Sequence, residues 1–337
     1  MTAAPTPAAG PSSAAAGPAA AGPAAAGPAV PTLTVPAPVA PAPAAGRAPL
    51  LAASDLDRTL IYSAAALALD VPDEQAPRLL CVEVYNSAPL SYVTEAAAGL
   101  VRELADAAVF VPATTRTREQ YRRIRLPGPV PPYAICANGG HLLVDGATDH
   151  DWHTEVRRRL DDGCAPLAEV RAHLARTADP AWLLKDRVAE DLFAYLVVER
   201  SLLPDGWVDE LAAWAGERGW TVSLQGRKVY AVPGPLTKSA ALAEVVRRTG
   251  AGEVLAAGDS LLDAELLLAA DTAWRPGHGE LADTGWTGPG VTALETAGVA
   301  AGEEILRLML ARARARAGTP PRPGAARGVS GAPDPRP

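Results

Sequence analysis

The chain has 337 residues, of which 48% are hydrophobic and 20% charged, so it carries enough apolar side chains for a sizeable buried core in one large or two modest domains. A formal net charge of -7, with both signs mixed along the chain, excludes the basic surface that nucleic acid or an anionic membrane selects. Cys81, Cys136 and Cys164 form no CxxC pair, no metal-ligand spacing and no even-numbered disulfide set, which suits a reducing cytoplasm.

Residues 1–48 are almost entirely Ala, Pro, Gly, Ser, Thr and Val, and their recurring "AAAGP" units interrupt any helix with proline, so a disordered tail is expected. The same stretch lacks the basic, uninterrupted apolar pattern of a secretory signal, and no later segment reaches the roughly 18 to 20 apolar residues of a membrane span. "LLAAS" (50–54) reads as a buried strand that delivers Asp55 to a sheet edge. "YVTEAAAGLVRELADA" has helical spacing and leads into "AVFVPATT", a second strand ending in Thr114 and Thr115. "YAICANGG" is a third, stopping at Asn138-Gly139-Gly140, where a sharp turn is possible. The middle of the chain reads as a helix over 154–176, strands at "WLLKDR" and "LFAYLVV", a helix over 206–218, then "WTVSLQ" and "KVYAVP". Two helix-plus-hairpin units predict a separate antiparallel sheet inserted into an α/β domain with a parallel sheet. The pattern resumes with the helix "LTKSAALAEVVRRTG", the strand "EVLAAGD" and the helix "SLLDAELLLAA". A second Pro/Gly-rich tail is expected over 317–337.

Open parallel sheets bind ligands beyond the carboxyl ends of their strands, so Asp55/Asp57/Thr59, Thr115, Lys238 and Asp259/Asp263 are expected to converge there. Several carboxylates at close range repel unless a cation intervenes, and an all-oxygen ligand set suits Mg2+. Lys238 and Thr115 could hold phosphoryl oxygens, and a carboxylate can act as the nucleophile that accepts a phosphoryl group. On the inserted sheet Lys185, Arg187, Arg227 and Lys228 could reach a substrate anion, although exposed charge on a strand is the usual reason for such residues. The histidines, His141, His150, His153, His173 and His278, make no metal spacing, and Cys136 has no histidine partner in sequence for thiol chemistry.

"DLDRTL", "PATTRT", "LTKSAAL" and "GDSLLD" resemble the four motifs of the haloacid dehalogenase-like (HAD) phosphatase superfamily, and the insertion is similar to the C2B-type cap of its Cof-type branch, near sucrose-phosphate and mannosyl-3-phosphoglycerate phosphatases. The resemblance implies a Rossmann-like core over 49–145 and 234–316 and an α+β cap over 146–233. It implies Asp55 as nucleophile and metal ligand, and Asp57 as acid and base with its backbone carbonyl toward magnesium. Thr115 would be the second-motif hydroxyl, with Thr114 and Arg116 beside it near substrate and the register open by one residue. Lys238 would be the third-motif lysine, Asp259 and Asp263 would be metal ligands, and Asn138 would lie near substrate. Thr59 would stabilise the loop. Arg58 and Arg116 stand where relatives often have glycine. The implied activity is hydrolysis of a small phosphoester, with Lys185 and Arg227 as candidate substrate contacts. A phosphotransferase such as a mutase, or a noncatalytic ligand-binding relative, would use the same residues.

Overall fold

The computed structural model describes residues 48–318, so the two predicted tails lie almost wholly outside the described residues. Strand β1 (Leu50–Ser54) is buried at every position, the pattern of a strand covered on both faces. Strands β2 (Leu79–Tyr85) and β3 (Ala88–Thr94) form an antiparallel hairpin that the sequence reading does not anticipate. Helix α1 (Glu95–Ala107) starts later than its apolar spacing predicts, because Thr94 remains extended and its hydroxyl caps the helix by accepting from the Ala97 amide at 2.9 Å. There follow β4 (Val109–Pro112), the short α2 (Arg118–Arg122), β5 (Tyr133–Cys136), β6 (His141–Val144) and β7 (Ala147–Thr148).

The inserted part contains α3 (His150–Gly163), α4 (Leu167–Thr177), β8 (Leu183–Ala189), β9 (Phe193–Val198), α5 (Trp207–Gly216), β10 (Trp220–Gln225) and β11 (Lys228–Pro233). One helix is predicted over 154–176, whereas two are found. Pro166 cannot continue the first and forces extended backbone just before it, so the chain breaks at Cys164 and restarts at Leu167. The return to the first layer brings α6 (Lys238–Thr249), β12 (Glu253–Ala257), α7 (Ala264–Leu268), β13 (Thr272–Arg275), α8 (Glu280–Asp283), β14 (Val291–Ala293) and α9 (Gly298–Gly318).

Five strands form a parallel sheet in the order β14-β13-β12-β1-β4. Alternation along β1 sends Leu50 and Ala52 into a core with Val101 and Leu104 of α1 and Ile305 and Met309 of α9. Leu51 and Ala53 go to the other side, with Leu242 and Val245 of α6 and Leu266 of α7. The sheet is therefore sandwiched by helices, the α/β core expected from the strand and helix alternation. The inserted sheet has the order β10-β11-β9-β8 and is antiparallel throughout. Its Ala194, Leu196, Val229 and Ala231 face helices α4 and α5, leaving the alternate positions to face the core. Among the described residues no helix is long and apolar enough to cross a membrane.

Candidate active site

β1 and β12 run side by side, with Ser54 opposite Ala257, so the residues that follow them emerge together at one edge. Asp55 continues the ladder by donating its amide to the Ala257 carbonyl at 2.9 Å. The chain then turns tightly, with the amides of Leu60 and Ile61 both donating to the Leu56 carbonyl. Arg58 in this turn has φ 65°, a left-handed conformation that strains any residue with a side chain and explains why glycine would be at home there.

The acids do converge. One carboxylate oxygen from each of Asp55, Asp259 and Asp263 lies within 4.8 Å of the others, and all three residues are buried. The 1%-exposed Lys238 closes the group, its Nζ donating to Asp55 Oδ1 and to Asp263 Oδ1 at 2.6 Å each. The lysine is aimed by helix α6, whose first turn is capped by the Thr237 hydroxyl accepting from the Ala240 amide. Asp263 is fixed from behind by the amide and hydroxyl of Ser260, at 3.0 and 2.7 Å. Two glycines make room. A Cβ on Gly258 would lie 2.3 Å from the Asp263 Cβ, and one on Gly279 would lie 2.5 Å from Asp259 Oδ2.

Burial raises the Asp55 carboxyl to about 7 despite the opposing charge of Lys238, and Asp263 adds to the rise. Burial and the neighbouring carboxylates Asp55 and Asp263 likewise push Asp259 well above the usual range. Lys238 is held above its ordinary value, because the two acids outweigh the effect of its burial. An arrangement in which burial resists the charges of Asp55 and Asp259 is one that a divalent cation would relieve. The all-oxygen donor set and the glycine-cleared space fit a hard ion such as Mg2+, with Asp55, Asp259 and Asp263 as the side chains that would hold it.

Asp57 stands apart from that cluster. Arg116 grips its carboxylate through two bonds, Nε to Oδ2 at 2.6 Å and Nη2 to Oδ1 at 2.8 Å, while Arg116 Nη1 reaches Glu83 at 2.7 Å. Burial alone would raise Asp57, but the Arg116 charge and hydrogen bonds overcome it and hold the carboxyl at about 2. Glu83, 1% exposed, is shared with Arg123 and with the Ser91 hydroxyl on β3. Glu83 is absent from the sequence reading, and irregular pairing at Cys81, Glu83 and Val84 breaks the alternation that would have marked its direction.

The two second-motif threonines differ. The Thr114 hydroxyl accepts from the Arg116 amide at 3.1 Å, whereas the Thr115 hydroxyl makes no hydrogen bond among the described residues. Asn138, left-handed at φ 55°, donates Nδ2 to the Leu236 carbonyl at 2.7 Å and leaves its buried Oδ1 without a partner. A Cβ on Gly139 would lie 2.2 Å from the Thr237 carbonyl oxygen, so this turn packs directly against the start of the lysine helix. Thr59 is buried in the nucleophile loop, and the Tyr62 hydroxyl donates to its carbonyl. His278 Nδ1 accepts from the Gly298 amide at 3.0 Å, which makes Nε2 the donor to the Arg58 carbonyl at 2.7 Å. Lys185 is exposed on β8, and Arg227 is exposed in the β10–β11 turn.

Glu280 at the start of α8 is a further group missed by sequence reasoning. It accepts from the Ser223 hydroxyl at 2.5 Å, the Leu224 amide at 2.9 Å and the Leu261 amide at 2.8 Å, so it joins the inserted sheet to the loop between Asp259 and Asp263. On the other flank, Glu190 in the β8–β9 turn lies 3.2 Å from Arg118 Nε and 2.5 Å from His141 Nε2.

No family model matches the chain. No curated protein matches it either. Solved structures do. The sucrose-phosphatase of Synechocystis sp. PCC6803 superposes with a TM-score of 0.52 at 16% identity, over 78% of this chain and 98% of that one. Protein 0175 of Thermoplasma acidophilum gives 0.51 at 11% identity, over 78% and 99%. A haloalkanoate (HAD) superfamily phosphatase from Bacteroides thetaiotaomicron gives 0.42 at 15% identity, over 79% and 96%. The chain thus shares its overall fold with the first two of these solved structures, over nearly their whole length.

Proposed function

We propose that the protein is a magnesium-dependent phosphatase that hydrolyses a small phosphorylated metabolite, a sugar phosphate in the first instance, with residues 146–233 as a cap over a core of 49–145 and 234–316. The observation that carries this reading is the meeting of Asp55, Asp259, Asp263 and Lys238 at the carboxyl edge of the parallel sheet. Asp55 is the nucleophile: its carboxylate displaces the alcohol and takes the phosphoryl group as an aspartyl phosphate. Lys238 steers the carboxylate and, with the uncommitted Thr115 hydroxyl, binds phosphoryl oxygens. When bound, Mg2+ would neutralise the acid cluster and draw charge from the phosphoryl oxygens.

Asp57 serves as acid for the leaving alcohol and as base for the water that releases phosphate. Its present pairing with Arg116 suits the base step, which needs the anion; the acid step requires the carboxylate to leave Arg116 and take up a proton from solvent before the alcohol departs, a proton it regains from the attacking water. Asn138 and Gly139 act by bracing the lysine helix. The cap, tied to the core by Glu280 and Glu190, limits access of bulk water.

The test is phosphate release from a panel of phosphorylated sugars with Mg2+ and with EDTA. Turnover that chelation abolishes and Mg2+ restores is the expected result. Turnover on none of the panel, or turnover indifferent to chelation, would reject the reading.

A further inference from the structure

The inserted sheet turns one face toward the core, as the hydrogen bond from the Ser223 hydroxyl to Glu280 fixes. Register identifies the rest of that face. Ser223 pairs with Tyr230, Tyr230 with Tyr195 and Tyr195 with Arg187; one step along, Lys228 pairs with Val197, which pairs with Lys185. Side chains directly opposite or two positions apart share a face. Lys185, Arg187 and Lys228 therefore project toward the core together, beside Tyr195 and Tyr230, and the register puts no carboxylate among them.

Lys228 is half-buried, with its Nζ 6.0 Å from the ring centres of both Tyr195 and Tyr230 and its charge felt by Asp57 below. Asp57 is already gripped in both oxygens by Arg116, so it is not free to serve as the partner of Lys228. From the core, Arg58 rises toward the same hairpin. A Cβ on Gly226 would lie 3.9 Å from Arg58 Nη1, and the buried Arg58 Nε has no hydrogen-bond acceptor although Asp259 stands 3.3 Å away. Arg58 is paired with Asp259 and Lys228 with the Tyr230 hydroxyl, yet Lys185 and Arg187 add further positive charge to this face, so an anion entering between the cations is favoured. Arg58 also keeps a left-handed backbone that glycine would adopt without strain, so its side chain is retained against a local penalty.

We propose that Arg58 and Lys228, supported by Lys185 and Arg187, recognise a second anionic group on the alcohol part of the substrate. The preferred substrates are then phosphorylated acids or bisphosphates rather than neutral sugar monophosphates. This rests on the phosphatase reading for the position of the reacting phosphate, but not for the cationic face itself. The reacting phosphate occupies Lys238 and Thr115, and the second anion lies across the cleft against the β10–β11 hairpin.

Two measurements with the full chain and Mg2+ test it. The first compares kcat/KM for glucose 6-phosphate, 6-phosphogluconate and fructose 1,6-bisphosphate; the second compares Kd for the same three ligands by calorimetry on Asp55→Asn, which does not depend on turnover. A carboxylate or a second phosphate should gain about tenfold or more over the neutral sugar, a difference of roughly 1.4 kcal/mol, and the two ligands separate the two anion types. In Lys228→Gln and in Arg58→Gln that ratio should collapse toward one. Equal values for all three ligands, or a ratio that both variants leave intact, would overturn the proposal. Absence of all turnover with the Kd ratio preserved would instead reject the phosphatase reading and leave the anion site standing.

Discussion

The edge of the parallel sheet and the inner face of the inserted sheet face one another, yet their charges are handled in opposite ways. At the sheet edge the central charges are bonded to one another: Lys238 to two acids, Asp57 to Arg116, Arg116 to Glu83. On the inserted sheet Lys185 and Lys228 share the core-facing side with no carboxylate in register beside them. A closed network fixes geometry for chemistry, whereas open charge waits for a ligand. If the proposed function holds, reaction type belongs to the sheet edge and substrate choice to the inserted sheet, and the two can be perturbed separately.

The sharpest way to separate them is to damage the edge alone. On the proposed mechanism Asp57→Asn keeps the shape but removes the acid and base, and should lower kcat by about 10^2 to 10^4-fold. Steady-state phosphate release on a sugar phosphate, compared with a substrate whose leaving group needs no proton, measures the effect; the loss should be smaller for the latter. Lys238→Met leaves Asp55 and Asp263 buried without their cation and should cost about 3–5 kcal/mol of stability in urea unfolding without metal. Added Mg2+ should recover part of that loss, and a variant as stable as the parent would break the account of the edge.

Smaller effects belong to the contacts that seat the inserted sheet on the core. Glu280→Ala strands the Leu224 and Leu261 amides and should cost about 1–3 kcal/mol, read as faster hydrogen exchange at those two positions. Faster exchange at Leu224 and Leu261, with α6 and β12 unchanged, would mark the inserted sheet and the core as separately movable. Least in size is the effect of pH on Glu190. Burial would raise its carboxyl, but the His141 and Arg118 contacts lower it from 4.5 to about 2. Its contribution is therefore fully present above about 4.5 and is lost as the pH falls toward 2. Glu190→Gln should flatten the stability profile across that window, with the full loss at neutral pH and little effect near pH 2.

The acid and lysine positions are legible in the sequence because each follows a short apolar run or opens an amphipathic helix, and parallel topology carries such positions to a common edge. The inserted sheet is legible for the same reason, as alternating runs of the expected length. What escapes is set by contacts between distant segments. Glu83 turns inward through an irregular hairpin, Glu280 sits on a helix of only four residues, and His278 owes its tautomer to the Gly298 amide twenty residues on. The break at Pro166 had a local signal, a proline inside a helical pattern, which outweighs the continuous apolar spacing on either side. Lys185 was legible as a candidate only through its charge; the reason to single out Lys228 above the adjacent Arg227 is strand register, which appears only once β11 is paired with β9.

The account turns on Asp55 as the group that receives phosphate. Rapid acid quench of the Mg2+-loaded enzyme during turnover of a labelled sugar phosphate, followed by peptide mass analysis, tests this directly. The account predicts label on the peptide carrying Asp55, at that residue, and none in Asp55→Asn. Label on another residue, or full turnover by Asp55→Asn, would contradict it.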